Sequence, residues 1–359
     1  MTASPRHGGH GNPATVPRVR LVDVAREAGL SKTTVSAALN GTGRLSPAVR
    51  ERARETARRL GYRPNATARL LRAGHARLIG YTVGEYVAGR WSYMESPYFA
   101  QLTSTTAAAA LRHGYALVLL PAGAASGEWT DLPLDAAIIA DPVADDPLVD
   151  DFIAARIPIF TDRSVEGRQG AHWVDIDTDA AVRDVLDHLH AEGARNIAIV
   201  SLDTTTRFHT AAAHACRTWC AEREVRHHLT LSAEPGNGSV VEAVERALAA
   251  AEDADALFVI AEATPPLVLD AARRAGRSVP DDLLLVCVSE DTSAAHTSPA
   301  ITTLSLNPEG VAEAGLDLLV AAVESGDQQP TGRVVPTRLE VRDSSRRADG
   351  GPDTARRPV

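Results

Sequence analysis

Apolar residues follow two different periods along this chain of 359 residues, and the change of period divides the chain into two parts. Near the N-terminus, Leu21, Val24, Ala25 and Ala28 recur at the spacing of one helix face. From Leu78 onward, short continuous apolar runs such as LIGYTV and AAIIA alternate with amphipathic helical stretches. Continuous apolar strands separated by helices are typical of parallel sheets covered on both faces. The pattern therefore predicts a small all-α N-terminal part followed by an α/β body.

The N-terminal pattern predicts three short helices. Gly29 ends the first helix because glycine tolerates a left-handed turn, and Ser31 is a good N-cap for a second helix that runs to about Asn40. Ser46 and the proline after it begin a third helix, which Gly61 ends. Two short helices joined by a three-residue turn with glycine, followed by a third helix, form a helix-turn-helix.

The second of these helices is predicted to read DNA. It exposes Lys32, Thr33, Ser36 and Ala37, which would face the major groove, where each base pair presents a distinct pattern of donors and acceptors. Generic helix-turn-helix patterns give many false positives, so this pattern alone does not establish the function.

The stretches LVDVAREAGLSKTTVSAALNG and GYRPNATARLLRAG, with the order of the elements that follow, resemble the LacI/GalR (lactose-repressor) family of bacterial transcription regulators. The resemblance covers the chain from about Val19 to Arg342. It implies an N-terminal all-α helix-turn-helix DNA-binding head plus an α/β periplasmic-binding-protein-like core of two doubly wound parallel-sheet sub-domains. It also implies that the chain crosses between the two sub-domains three times.

The resemblance further implies that the stretch after Tyr62 is a hinge helix, which folds as a pair on DNA and inserts Leu71 into the minor groove with Arg72 beside it. NATARLL is too short to form a stable helix alone, and an apolar wedge kinks DNA at a cost that wider contact repays. The alternative is that Leu71 is a linker residue packed on the core.

The predicted DNA contacts combine this resemblance with the helix pattern. They are Ser31, Lys32, Thr33, Ser36, Ala37, Asn40, Arg44, Tyr62, Asn65, Leu71 and Arg72. The family often has arginine or another polar side chain where this sequence has Ala37, which offers only a methyl group. Lys32, Thr33 and Arg44 are then expected to carry more of the sequence readout.

Effector contacts are expected at the carboxyl ends of the strands, where open α/β sheets bind ligands. The positions that match the family's contacts are Phe99, Asp162, Arg207 and Glu262. For each charged residue the alternative is an exposed loop charge or a helix cap.

The sequence departs from the family pattern at two strand ends. Ala261-Glu262 stands where Asn-Asp is usual, and Cys287-Val288-Ser289 stands where Gly-Phe-Asp is usual. Losing two such groups weakens the assignment of a sugar, which paired carboxylates and amides bind. An unusual effector and a site that no longer binds one both stay open.

Charge strengthens the division into two parts. Residues 1–77 carry 15 Lys and Arg against 4 Asp and Glu, a net charge of +11, so the remaining residues carry −20 of the total of −9. This asymmetry favours a front that binds a polyanion. A solvated basic tail is the alternative, but the basic residues lie on patterned helices.

Other features exclude several classes of protein. No apolar run approaches the roughly 20 residues of a membrane span, and the first residues lack the apolar segment of an export signal. Three cysteines do not suggest a disulfide framework, and for Cys216 and Cys220 near His214 a buried thiol pair is favoured over a metal site. Because no catalytic or phosphate-binding motif is present, we expect no enzyme, no cofactor and no metal, and a cytoplasmic protein.

The expected domains follow the chain in order. They are a disordered tail at 1–18, a helix-turn-helix domain at 19–64, a hinge at 65–77, a core at 78–342 and a disordered tail at 343–359. Within the core, residues 78–175 with 304–342 form one sub-domain, residues 176–303 form the other, and RVVPTRLEVR is a closing strand.

The expected function is a sequence-specific transcriptional regulator, a repressor that binds a pseudo-palindromic operator as a homodimer. A small-molecule effector, a sugar or another polar metabolite, would control its affinity for double-stranded DNA. The alternative is a periplasmic-type small-molecule binding protein without a DNA role. Such a protein would need a signal peptide and would lack residues 19–74.

Overall fold

The structure is a computed structural model that describes residues 19–62, 75–84, 95–120, 129, 132–143, 145–165, 170–326 and 329–347. Its packing forms two compact units, residues 1–76 and residues 77–359, which we call the head and the body.

Three helices form the described part of the head: α1 (Leu21–Ala28), α2 (Lys32–Asn40) and α3 (Pro47–Arg59). Gly29 ends α1 at φ +64°, and its amide donates to the last carbonyls of that helix. The Ser31 hydroxyl accepts a hydrogen bond from the Thr34 amide at 3.0 Å and so caps α2. Val24, Ala25, Val35 and Ala57 form the buried core between the helices. The expected helix-turn-helix is confirmed.

The described part of the body contains seven helices and twelve strands. The helices are α4 (Pro97–Arg112), α5 (Pro147–Ala154), α6 (Thr178–Ala191), α7 (Arg207–Glu222), α8 (Asn237–Ala250), α9 (Pro265–Arg274) and α10 (Pro308–Ser325). The strands are β1 (Leu78–Val83), β2 (Ala116–Leu119), β3 (Ala136–Ala140), β4 (Ile159–Thr161), β5 (Ala171–Ile176), β6 (Asn196–Leu202), β7 (Arg226–Ser232), β8 (Ala256–Val259), β9 (Leu284–Val288), β10 (Thr302–Ser305), β11 (Gly332–Val335) and β12 (Arg338–Glu340).

The strands form two six-stranded sheets, in the orders β11-β5-β4-β3-β1-β2 and β12-β10-β9-β8-β6-β7. All pairs are parallel except β10 with β12. In β3, Ile138 packs into the core on one face of its sheet, whereas Ile139 packs into the core on the other face. In β6, Ile199 and Val200 likewise pack into the cores on opposite faces of their sheet. Because both faces are covered there, central strands such as β3, β8 and β9 are continuous apolar runs, as the sequence indicated.

The chain crosses between the sheets three times, as expected, but the last crossing differs from the prediction. The first two crossings follow β5 and β10, and the third lies at Pro336-Thr337. RVVPTRLEVR was expected to be one closing strand of the first sub-domain, and this is wrong. Its first part, β11, pairs with β5, and its second part, β12, pairs with β10 of the other sheet. The proline has no amide hydrogen, so the segment cannot continue as one unbroken ladder strand.

The expected disorder after residue 342 does not hold for residues 343–347. Asp343–Ser345 form a short 3-10 helix in which Ser344 and Ser345 are fully buried. The Ser344 hydroxyl donates to the Leu285 carbonyl at 2.7 Å and accepts from the Thr302 amide at 2.8 Å. These bonds satisfy the polar groups that burial removes from water, which composition alone did not reveal.

The predicted fold class, an all-α head with an α/β core of two mainly parallel sheets, is confirmed. Among the described residues, no helix combines the length and the apolar character that a bilayer crossing requires.

Candidate DNA-reading helix and ligand cleft

One face of α2 presents polar side chains to solvent. Val35 and Ala38 are buried, and they point the rest of the helix away from the head core. Of the predicted DNA contacts on or beside α2, Ser31, Lys32, Thr33, Asn40 and Arg44 are exposed, and Ser36 and Ala37 are half-buried. The arrangement leaves short donors and acceptors on an exposed helix, which suits contact with base edges.

Several basic residues of the head keep their charge available. Lys32, Arg44, Arg52 and Arg54 form no ion pair within the described residues, whereas Arg58 pairs with Glu55 at 2.9 Å. Cations without carboxylate partners can pair with phosphates.

The loop after α2 is fixed by the backbone and by α3. The Arg50 guanidinium donates to the Gly43 carbonyl at 2.7 Å, and the Thr42 amide donates to the Ala37 carbonyl at 3.0 Å. Arg44, beside this anchored carbonyl, is therefore presented from an ordered loop.

The remaining predicted DNA contacts lie after α3. Tyr62 is half-buried and packs against the head core, so it supports the head as well as facing solvent. The predicted contacts Asn65, Leu71 and Arg72 lie outside the described residues.

A cleft in the body lies where the carboxyl ends of strands from both sheets meet, the place that open α/β folds use for ligands. Asp141 directly follows β3, Glu262 follows β8 and Glu290 follows β9. Phe99, in the first turn of α4, and Phe208, in the first turn of α7, add aromatic surface.

Of the predicted effector contacts, Phe99 and Glu262 line this cleft. The Glu262 carboxylate accepts hydrogen bonds from the Tyr98 amide at 2.9 Å and from the Ser96 hydroxyl. It therefore joins the second sub-domain to the N-terminus of α4 in the first. Burial raises the pKa of Glu262 to about 7, and the negative charge of Glu290 adds to this shift.

The other two predicted contacts, Asp162 and Arg207, do not line the cleft. Asp162 is fully buried behind it, where it accepts from the Tyr98 hydroxyl at 3.0 Å and from the Asp141 amide. Burial raises the pKa of Asp162, against the opposing charge of Arg163. Arg207 begins α7 and turns to Asp175 of β5, with 3.2 Å between Nε and Oδ2.

Arg163 is a central residue that the sequence reasoning missed. Its side chain is 3% exposed, lines the cleft, and donates to the Tyr98 hydroxyl at 3.0 Å. It lies 3.7 Å from Asp162 Oδ2 and 3.9 Å from Asp175 Oδ1. Its position directly after Asp162, at the end of a buried strand, was the signal in the sequence.

Glu290 was also missed, and it corrects one expectation. The sequence suggested that a carboxylate is lost at Cys287-Val288-Ser289, yet β9 ends at Val288 and Glu290 supplies a carboxylate to the cleft. Glu290 accepts from the Ser305 hydroxyl at 2.8 Å and from the Leu306 amide at 2.7 Å, on the second crossing.

His209 lies beside these groups in the cleft wall. Burial, together with the charge of Arg163, lowers the pKa of His209 to about 3, so its ring is neutral at physiological pH. Its Nδ1 lies 3.2 Å from the Ser201 hydroxyl.

No group of three or more His, Cys, Asp or Glu side chains within the described ranges is arranged to hold a metal ion. Cys216 and Cys220 are buried free thiols whose pKa values burial raises. His214 lies on the same helix, α7.

Comparison with known protein families gives two matches. Residues 20–65 match the model of bacterial regulatory proteins of the lacI family, and residues 186–345 match that of a periplasmic binding protein-like domain. A regulator from Thermobifida fusca, the HTH-type transcriptional regulator CelR, is 26% identical over 337 residues, 91% of this chain and 98% of the relative. Catabolite control protein A of Staphylococcus xylosus is 23% identical over 340 residues, 91% of this chain and 99% of that protein.

Solved structures share the fold. The lac repressor dimer bound to operator and the anti-inducer ONPF has a TM-score of 0.80 at 18% identity and covers 92% of this chain and 100% of that one. The complex of the transcriptional regulator CelR with cellobiose has a TM-score of 0.66 at 24% identity and covers 91% of this chain and 100% of that one.

Proposed function

Because the chain belongs to the LacI family of bacterial regulatory proteins, we propose that it is a transcriptional repressor that binds a pseudo-palindromic operator as a homodimer. Two heads would read half-sites in successive major grooves, and a polar small molecule in the cleft would set the affinity for DNA. A dimer bound at a promoter excludes polymerase, which is the reason for repression rather than activation.

The observation that carries the DNA role is the charged, exposed face of the head. Lys32 and Thr33 lie in the first turn of a capped helix whose opposite side is packed on the head core. With Ala37 offering only a methyl group, we propose Lys32, Thr33 and Arg44 as the principal readers. Ser31, Ser36, Asn40 and Tyr62 would support them, and Asn65, Leu71 and Arg72 would act in the minor groove.

The cleft is the proposed effector site. Phe99, Glu262, Glu290 and His209 would contact the ligand directly. Asp162 and Arg207 would act indirectly, since Asp162 lies beside Arg163 and Arg207 holds Asp175.

The head distinguishes a DNA-binding regulator from a protein that only binds small molecules. A periplasmic-type binding protein would share the body, but it would have no use for a basic helix-turn-helix head. We also propose that the cleft binds its ligand without transforming it, because the relatives are regulators, and that the protein works in the cytoplasm, where the chromosome is.

The test measures binding to fragments from beside the gene by fluorescence anisotropy over a range of salt concentrations. We expect specific binding that weakens by on the order of a thousandfold between low and moderate salt, because several phosphates are contacted. The double variant Lys32→Ala/Thr33→Ala should lose specific binding, whereas Arg226→Ala, an exposed cation of the body, should not. A protein that stays monomeric and binds no such fragment at low salt contradicts the proposal.

The hinge is tested separately. Leu71→Ala should reduce the preference for operator over random DNA and leave thermal melting of the body unchanged, because only the minor-groove wedge is removed. An unchanged preference would show that Leu71 is not the wedge.

A further inference from the structure

Carboxylates outnumber cations in the wall of the cleft. Among the described residues that line it, Glu95, Asp141, Glu262 and Glu290 carry carboxylates, and Arg163 carries the one cationic side chain. His209 adds no charge at physiological pH because its ring is neutral. The wall therefore presents an excess of negative charge to whatever occupies the cleft.

The charge of Arg163 is already engaged behind the wall. Its guanidinium lies between Asp162 and Asp175, at 3.7 Å and 3.9 Å, and donates to the Tyr98 hydroxyl. With 3% of its side chain exposed, Arg163 offers little surface to a ligand. It balances the buried aspartates and also acts on Asp141, while Arg338 acts on Glu290. Within the described residues, the hydrogen bonds of Glu262 come from neutral donors.

Glu262 shows the consequence most clearly. Its hydrogen-bond donors are neutral, the Ser96 hydroxyl and the Tyr98 amide, and part of its side chain stays open to the cleft. The negative charges of Glu290 and Asp291 act on it from the same sub-domain. Since an enclosed carboxylate with no cation is costly, a ligand that brings a cation is favoured over one that brings none.

His209 offers a polar contact to a ligand in the cleft. It is 7% exposed and lines the cleft, and its Nδ1 has the Ser201 hydroxyl as a partner at 3.2 Å. Within the part of the chain that the structure describes, the other ring nitrogen has no hydrogen-bond partner. Because the side chain lines the cleft, a polar group of an occupant can bond to this nitrogen.

We propose that the effector of this cleft is a small amine, whose ammonium group lies between Glu262 and Glu290 while a polar group on its body bonds to His209. The assignment rests on the proposed function, since it takes the cleft to be the effector site. Neutral ligands bring no cation to Glu262, and anionic ligands meet the repulsion of both glutamates. Phe99 and Phe208 provide apolar surface for the carbon skeleton.

The test uses two sets of probes that differ in a single substituent. Glucamine, sorbitol and gluconate share a polyol body, and tyramine, tyrosol and 4-hydroxyphenylacetate share an aromatic body. In each set the first member is a cation, the second is neutral and the third is an anion. We expect thermal stabilisation of the full chain at millimolar concentration by an amine and not by its neutral or anionic counterpart.

Two variants locate the ammonium. Glu262→Gln keeps the size and one acceptor but removes the charge, so it should weaken amine binding about tenfold or more, and Glu290→Gln should do the same. Glu242→Gln, an exposed position on α8, is the matched control and should bind as the wild type does.

The pH dependence supplies a second readout. Because the pKa of Glu262 is about 7, amine binding should strengthen about tenfold from pH 6 to pH 8. Glu262→Gln should lose this dependence. Both amines remain protonated over the range, so the change reports the protein.

The proposal is overturned if a neutral or anionic member of either set stabilises the protein as strongly as its amine, if neither amine stabilises it, or if Glu262→Gln binds the amine normally. Operator binding by the same preparation without ligand reports the proposed function independently. A protein that binds DNA but prefers sorbitol would therefore refute the amine and leave the regulator standing.

Discussion

The head and the body place their functional residues in opposite environments. On the head, Lys32 and Arg44 stand on the surface and form no ion pair with the residues that the structure describes, and the buried core beneath them is small. In the body, Arg163, Glu262 and Asp162 are enclosed by protein and held by several partners each. We therefore expect substitution of an exposed reading residue to leave the fold of the head intact. Substitution of a charged cleft residue should change the free energy of unfolding of the body.

The largest effect should come from burying a charge in the small core of the head. Val35 is fully buried between the helices, so Val35→Asp should cost about 5 kcal/mol and unfold the head. DNA binding should be lost while the thermal transition of the body is kept. Val334→Asp, at a body position that is 61% exposed, is the control and should leave both unchanged. Retained operator binding by Val35→Asp would contradict the assigned core.

Removing the buried cation should destabilise the body nearly as much. Arg163→Met leaves Asp162 buried without its counter-charge, and we expect a loss of about 3–5 kcal/mol in urea unfolding. Asp162→Asn in the same chain should restore part of that loss. The matched control is Arg226→Met, because Arg226 lies 2.7 Å from Asp253 but both side chains are largely exposed, so little change is expected. Equal effects at the two sites would show that burial does not distinguish them.

Glu262 should give the stability of the body a distinctive pH dependence. Folding raises its pKa from an ordinary value of 4.5 to about 7, so the folded state holds a proton in that range that the unfolded state releases. The contribution of this group therefore makes stability fall as the pH rises from 4.5 to 7 and then level off.

Comparison with Glu262→Gln isolates this contribution, since the neutral amide has no charge to bury. Relative to the wild type, the variant should gain on the order of 2 kcal/mol between pH 4.5 and pH 8. The comparison also removes the opposite effect of His209, whose lowered pKa makes stability rise with pH between about 3 and its ordinary value of 6.5. A constant difference between the two proteins would mean that Glu262 is not enclosed.

The smallest effect concerns the two serine caps of the head. Ser31→Ala and Ser46→Ala each remove a side-chain acceptor, from the Thr34 and Val49 amides respectively, and should each cost about 1 kcal/mol. Hydrogen exchange of head amides in the full chain measures both. Only Ser31→Ala should also weaken operator binding beyond its loss of stability. Equal losses of binding would remove Ser31 from the DNA contacts.

The head could be predicted closely from the sequence because its information is local. A glycine, a serine and an apolar spacing within a few residues define α1 and α2, as Gly29 and Ser31 illustrate. The exposure of Lys32 and Thr33 follows from the same spacing. The central strands were also predictable, since β3, β8 and β9 are continuous apolar runs.

The cleft could be predicted only in part because its geometry depends on distant residues. Strand ends identified Glu262, but they did not show that Asp162 turns inward to the Asp141 amide while its neighbour Arg163 reaches the wall. Glu290 was missed because the family pattern drew the comparison to Cys287-Val288-Ser289, whereas β9 ends at Val288 and the carboxylate comes two residues later.

The buried hydrogen bonds of Ser344 and Ser345 determine where the chain can be truncated or fused to another protein without damage to the second sheet. Since these hydroxyls bond to Leu285 and Thr302 inside the second sheet, a stop codon at 343 would leave an interior carbonyl and amide facing no partner. A fluorescent reporter fused after residue 347 would instead leave that interior intact.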